Sequence, residues 1–175
     1  MFKLPEIIKK DLKNYGLALA DLLSGRDSPE RFKGIRVPWG IYSHRGGQVF
    51  MVRVRVPGGL VTAAQLKALA AAAKKYGNGI LHITTRQDIQ LHKVAIENTL
   101  LCMEFLQGYD LSPRGGGGNT VRNVITCEVP GICDKEIFDV RGHAIALTEY
   151  LITQENSFKL PRKLKIALVG CPKGW

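Results

Sequence analysis

The chain has 175 residues, 45% of them hydrophobic, and 25 Lys and Arg against 15 Asp and Glu give a net charge of +10. That length fits one compact domain, or one domain and part of a second, and the apolar content excludes a disordered chain. No apolar run reaches the length of a membrane span, and the N-terminal MFKLPEIIKKDLKNYG lacks the apolar core of a signal peptide, so a cytoplasmic protein with an anionic partner is expected.

The first 25 residues predict a helix: Ile8, Leu12, Tyr15, Leu19 and Leu22 recur at helical spacing, and Gly25 is a suitable stop. Residues 26–46 read as a loop with one apolar stretch around Ile35 to Ile41. In QVFMVRVRVPGG, Phe50, Val52, Val54 and Val56 alternate with Met51, Arg53 and Arg55, the period of a strand with one apolar and one basic face. Thr62 and Gln65 form a capping-box pattern before a helix whose buried stripe is Leu66, Leu69, Ala70, Ala73 and Tyr76. ILHITTRQDIQLHKV reads as two strands meeting near Arg86 to Asp88, with Ile89 and Leu91 on one face and Asp88, Gln90 and His92 on the other. A helix follows over Ile96 to Gln107, with Leu101 and Phe105 on one side. This β-α-β-β-α order is most of a ferredoxin-like unit, which closes with one more strand. Beyond it come a flexible Gly-rich loop over residues 112–119, a strand in TVRNVITCEV, a helix over Ile137 to Thr153 and a strand in LPRKLKIALVG.

Three constellations carry chemistry. Arg53 with Arg55, and Lys163 with Lys165, put paired bases on strand faces; several such strands converging make a concave cationic site, and the pattern also fits a solvated outer face. T-T-R-Q-D-I-Q-L-H, residues 84–92, offers Arg86 for bidentate carboxylate binding beside the polar Asp88, Gln90 and His92, again with a wet sheet face as the alternative. G-G-G-G-N-T-V-R-N, residues 115–123, lets backbone N–H groups approach an anion, and Arg122 between Asn119, Asn123 and their neighbours is a candidate fixed donor. The run lacks the P-loop Lys-Ser/Thr pair and the dinucleotide spacing. Of Cys102, Cys127, Cys133 and Cys171, only Cys127 and Cys133 are close in sequence, and no second close pair completes a metal set, so ordinary thiols are expected. A nucleic-acid partner is disfavoured by the polar, non-aromatic strand faces.

R-x-R-x-P-G-G, T-T-R-Q-D-x-Q-L-H, G-G-N-T-V-R-N and L-P-R-K-x-K occur in that order, and the stretch from Gly34 to Gly170 resembles the sirohaem- and [4Fe–4S]-dependent sulfite and nitrite reductases. The resemblance implies an α+β fold: a ferredoxin-like β-α-β-β-α-β unit followed by the beginning of an α/β sirohaem-binding domain. The implied division is an N-terminal helix and lead-in over 1–33, the half domain over 34–111 and a partial sirohaem/[4Fe–4S] domain over 112–175. It implies a six-electron oxidoreductase in which Arg53, Arg122, Lys163 and Lys165 hold sulfite or nitrite, the lysines also supplying protons. Arg86, Gln90 and His92, and less strongly Arg55, would contact sirohaem, with Asn119 and Asn123 beside it. The cluster cysteines of the family are expected downstream of this chain. The expected partners are therefore a C-terminal half or complementary subunit and an electron-donor protein or reductase subunit, with no nucleic acid and no membrane. A non-catalytic, tetrapyrrole- or partner-binding ferredoxin-like module is the alternative.

Overall fold

The computed structural model describes residues 1–172; the last three positions of the expected 112–175 unit lie outside the described residues. Helix α1 spans Glu6–Leu23 and buries Ile8, Leu12, Tyr15 and Leu19. The stretch expected to be a loop is largely ordered. Helix α2 covers Pro29–Arg36, capped by the Ser28 side chain, which accepts from the Arg31 N–H, with Pro29 in the first turn. After a 3-10 turn at Val37–Trp39, strand β1 takes Ile41–Ser43.

Strand β2 is Phe50–Val54, with Phe50, Val52 and Val54 buried as their alternation predicts. Helix α3 is Ala63–Tyr76, and both hydrogen bonds of the Thr62–Gln65 capping box form. Its buried face is Gln65, Ala68, Leu69, Ala72 and Ala73, so the stripe is rotated from the expected one and Leu66 lies outside. Small alanines allow that rotation, because the sheet approaches closely where no bulky side chain intervenes. Strands β3, Leu81–Ile83, and β4, Ile89–Val94, form the expected hairpin. Helix α4 is Thr99–Gln107, with Thr99, Cys102, Met103 and Leu106 inward and Leu101 exposed.

The sheet order is β1-β2-β4-β3, all antiparallel. The edge position beside β2, where a ferredoxin-like unit takes its last strand, is filled from upstream by β1. After α4 the chain returns to the same edge for a single bridge, Ser112 opposite Arg55, with the Arg55 N–H donating to the Ser112 carbonyl at 3.0 Å.

The second layer is a parallel pair, β5 at Val121–Thr126 and β6 at Leu164–Leu168, joined through helix α5 at Arg141–Thr153. All six β5 residues are buried. The expected helix start at Ile137 is too early: Ile137 and Phe138 are exposed and precede α5.

The Gly-rich loop is packed rather than flexible. Gly115, Gly116 and Gly118 spend their N–H groups on the Pro38 carbonyl, the Pro113 carbonyl and the Tyr42 hydroxyl, so these do not face an anion. A Cβ on Gly116 would sit 2.6 Å from the Arg53 carbonyl and 2.8 Å from the Pro113 carbonyl, both rigid backbone. Gly116→Ala should therefore cost about 2 kcal/mol or more of unfolding free energy. Gly34→Ala, in helix α2 where a Cβ meets nothing within 4 Å, should be neutral or stabilising by about 0.5–1 kcal/mol. Urea unfolding of the two variants measures both.

Candidate functional site

A polar cavity of about 250 Å³ opens where the four-stranded sheet meets the β5–β6 pair, lined by Arg53, Thr84, Thr85, Arg86, Asp88, Arg122, Lys163 and Lys165. Arg53 comes from β2, Thr84 to Asp88 from the β3–β4 turn, Arg122 from β5, and the lysines from β6 and its lead-in. Five cations from four chain segments thus surround one carboxyl group.

Arg53 is held on three sides. It donates from Nη1 to the Gly116 carbonyl at 3.2 Å. With its amide oxygen turned toward the guanidinium, Gln90 accepts from Arg53 Nε and Nη2 at 3.2 and 2.9 Å. The Tyr42 ring lies 5.4 Å from the guanidinium carbon. Arg122 donates to the same Gly116 carbonyl at 2.5 Å, so one backbone oxygen fixes two arginines from different sheets. Arg86 donates from Nη2 to the carbonyls of Asn123 and Ile166, at 2.5 and 3.0 Å. The Nε atoms of Arg86 and Arg122 are buried without a hydrogen-bond partner among the described residues. Burial lowers the pKa of Arg86, which Asp88 opposes and Arg122 reinforces.

The β3–β4 turn is built by its own side chains. The Thr84 hydroxyl accepts from the N–H of Arg86 at 3.3 Å and of Asp88 at 3.1 Å. Gln87 adopts φ +58° and pairs with Thr126 like a strand residue, donating to its carbonyl at 2.8 Å and accepting from its N–H at 3.2 Å. Asp88 is buried, and its Oδ1 has no hydrogen-bond partner among the described residues. Burial pushes its carboxyl up to about 6, against the pull of Arg55, Arg53, Arg122 and Arg86.

The remaining expected site residues lie off the cavity wall. Arg55 is buried behind it and donates to the Val121 carbonyl at 2.7 Å; burial brings its pKa down to about 10, with Asp88 opposing. A basic residue two positions after Arg53 was expected on the same open face, but β2 ends at Val54 and the chain is covered there by the returning Ser112 segment. Asn123 is buried and donates to the carbonyls of Val56 and Arg86, at 2.8 and 3.1 Å. Asn119 is exposed and donates to the Pro161 carbonyl at 3.2 Å, tying down the lead-in that carries Lys163. Gln90 buttresses Arg53 rather than lining the cavity. His92 is half-buried among other imidazoles, 5.4 Å from His44 and 6.1 Å from His82 between ring centroids, and its pKa is lowered by burial and then by those neighbours.

Asp88, Thr84 and Thr85, which belong to the 84–92 constellation but not to the site residues that the resemblance implied, also line the wall. The available signal was the strand alternation, which sets Asp88 on the polar face with Gln90, but pattern alone does not reveal that this face is covered there. Cys102 is buried, which pushes its thiol up to about 12; Cys127, Cys133 and Cys171 are half-buried and free. Among the described residues no group of three or more His, Cys, Asp or Glu is disposed to hold a metal ion, and no helix is long and apolar enough to cross a membrane.

The cavity suits anions. Its size admits a small oxyanion or the carboxylate edge of a larger group, not a whole tetrapyrrole, and the five cations on its wall favour negative charge. Arg86, Arg122 and the lysines are therefore placed to meet a carboxylate or a small oxyanion, whereas Arg55 and Asn123 are committed to backbone.

Residues 42–108 match the nitrite/sulfite reductase ferredoxin-like half domain, and residues 117–174 match the nitrite and sulphite reductase 4Fe-4S domain. The assimilatory ferredoxin-dependent nitrite reductase of Haloferax mediterranei is 31% identical over 78% of this chain and 25% of its own length. The ferredoxin–nitrite reductase of Synechococcus elongatus is 38% identical over 69% of this chain and 25% of its own length. This chain thus spans about a quarter of the length of these relatives. The solved Mycobacterium tuberculosis NirA protein shares the fold, with a TM-score of 0.75 at 24% identity over 82% of this chain and 30% of that one. With both domain matches in chain order over an α+β fold of the same kind, the chain belongs to the nitrite and sulfite reductase family.

Proposed function

We propose that this chain forms the anion-holding wall of a sirohaem-dependent reductase that converts nitrite or sulfite with six electrons. The observation that carries this reading is the cavity in which Arg53, Arg86, Arg122, Lys163 and Lys165 meet. Arg53 and Arg122, anchored through one carbonyl, hold the oxyanion in a fixed orientation. Lys163 and Lys165 are exposed on the side of the cavity formed by β6, where they add charge and exchange protons with solvent. Arg86, backed by two carbonyls, grips a tetrapyrrole carboxylate. Gln90 keeps Arg53 in place, and Asn119 keeps the lead-in to Lys163 in place. Sirohaem, when bound, supplies the redox-active iron through which the electrons pass.

Nitrite is favoured over sulfite, and a ferredoxin as donor, because the compared relatives are ferredoxin-dependent nitrite reductases. In this reading residues 34–111 act as the half domain and 112–175 as part of the sirohaem/[4Fe–4S] domain. The cluster thiolates and the second half of the sirohaem pocket come from outside the 175 residues, as a complementary segment or subunit.

Two measurements test the reading. Replacing both lysines, in Lys163→Ala/Lys165→Ala, should weaken nitrite binding about tenfold or more by calorimetry, since each charge-assisted contact contributes about 1.5–3 kcal/mol where it is made. The unfolding midpoint should stay within the small shift usual for exposed positions, about 0.5 kcal/mol; equal nitrite affinity for both proteins sinks the proposal. Separately, a Soret titration should show at most weak sirohaem binding by the chain alone and strong binding once the complementary segment is added, with Arg86→Gln weakening the affinity of that complex about tenfold; strong, saturable binding by the chain alone would instead mark a tetrapyrrole-binding module.

A further inference from the structure

We infer that Asp88 is the proton-holding group of the anion cavity, taking up one proton from solvent when an oxyanion enters among Arg53, Arg122, Lys163 and Lys165. The inference rests on the reading of the cavity as an oxyanion site and adds to it a residue with a distinct role. The geometry is that of a carboxyl group with no other acid on the cavity wall among the described residues. It is buried, and its Oδ1 lacks a hydrogen-bond partner among the described residues. Its own N–H is tied to the Thr84 hydroxyl at 3.1 Å, which fixes the residue at the turn.

The groups acting on it come from every neighbouring element: Arg53 and Arg55 from β2 and its end, Arg86 from the turn and Arg122 from β5, with Lys165 of β6 and Lys163 of its lead-in lining the same cavity. Such a set would hold an exposed carboxylate ionised. Burial works the other way and leaves the group near neutrality in its titration, at about 6. An arriving anion tips this balance. Its charge sits beside Asp88 and draws on the same cations that favour the carboxylate form, so it shifts Asp88 toward the acid. By linkage, a group that binds protons more tightly in the complex makes the complex tighter at lower pH. The step is balanced: one proton leaves solvent, one O–H bond forms on the Asp88 carboxyl, and no electrons move. The proton then sits on the cavity wall beside a substrate whose reduction consumes protons.

Sulfate is a suitable probe, because it remains a dianion between pH 5 and 8. Calorimetric titration of the chain with sulfate in two buffers of different ionisation enthalpy, at pH 7, should show uptake of close to one proton per sulfate bound. Its Kd should be about tenfold lower at pH 5.5 than at pH 7.5. Asp88→Asn should bind sulfate with a Kd nearly independent of pH over that range and with no proton uptake, while Asp88→Glu should retain both. If Asp88→Asn does not fold, the infrared difference spectrum of the unaltered protein replaces it, and a protonated-carboxyl band should appear on adding sulfate. Sulfate binding without proton uptake, without that band, or with uptake unchanged in Asp88→Asn overturns the role of Asp88 and leaves the anion cavity standing. Failure of sulfate to bind at any pH overturns both.

Discussion

The structure depends on how the free edge of β5 is satisfied. One edge of this buried strand pairs with β6, and the carbonyls along the other have no neighbouring strand among the described residues. A buried carbonyl left unpaired costs about 1–3 kcal/mol. Side chains from the four-stranded sheet reach across instead: Arg55 to the Val121 carbonyl, Gln87 to Thr126, and Arg86 to Asn123 and to Ile166 of β6 where the β5–β6 register shifts. Contacts in the other direction close the seam, with Asn123 donating to Val56 and the Thr126 hydroxyl to Gly58. The two sheets are therefore joined by polar side chains that act as the missing strand.

That arrangement explains why the cavity lies where it does. Long guanidinium side chains that bridge two backbones cannot pack as densely as apolar ones, and a polar gap remains at the seam. Because each arginine is already pinned by a carbonyl, its remaining N–H groups are held in fixed directions at little further entropic cost. The lysines differ in kind. They come from the exposed strand β6 and its lead-in and have no hydrogen-bond acceptor among the described residues, so they supply charge at the cavity's mouth. The wall thus combines guanidinium donors fixed inside with exposed ammonium groups at the mouth.

Much of this was legible in the sequence. Period-two alternation located β2 and β4, and the capping box located the start of α3. The motif order pointed to the family and brought forward the five cations that share one cavity. What could not be read depended on contacts distant in sequence. Arg53 and Arg55 look equivalent along the chain, yet the return of Ser112 covers one and leaves the other on the cavity wall. Asn123 resembles a ligand contact until the neighbouring Val56 carbonyl is seen to need a donor. Three-residue β1 is too short to show a period, and α2 carried its signal in the cap, Ser28 followed by Pro29, rather than in an apolar stripe.

The Gly-rich loop shows the same logic from the backbone side. Its N–H groups were expected to greet an anion, but it is the carbonyl of Gly116 that meets the cavity's cations, accepting from both Arg53 and Arg122. Glycine is required because the Arg53 and Pro113 carbonyls approach where a Cβ would stand. The loop thus acts on the site through a donor pair it aligns, not through contacts of its own. This is why a backbone oxygen, invisible to any reading of side-chain chemistry, sets the geometry on which the cationic wall relies.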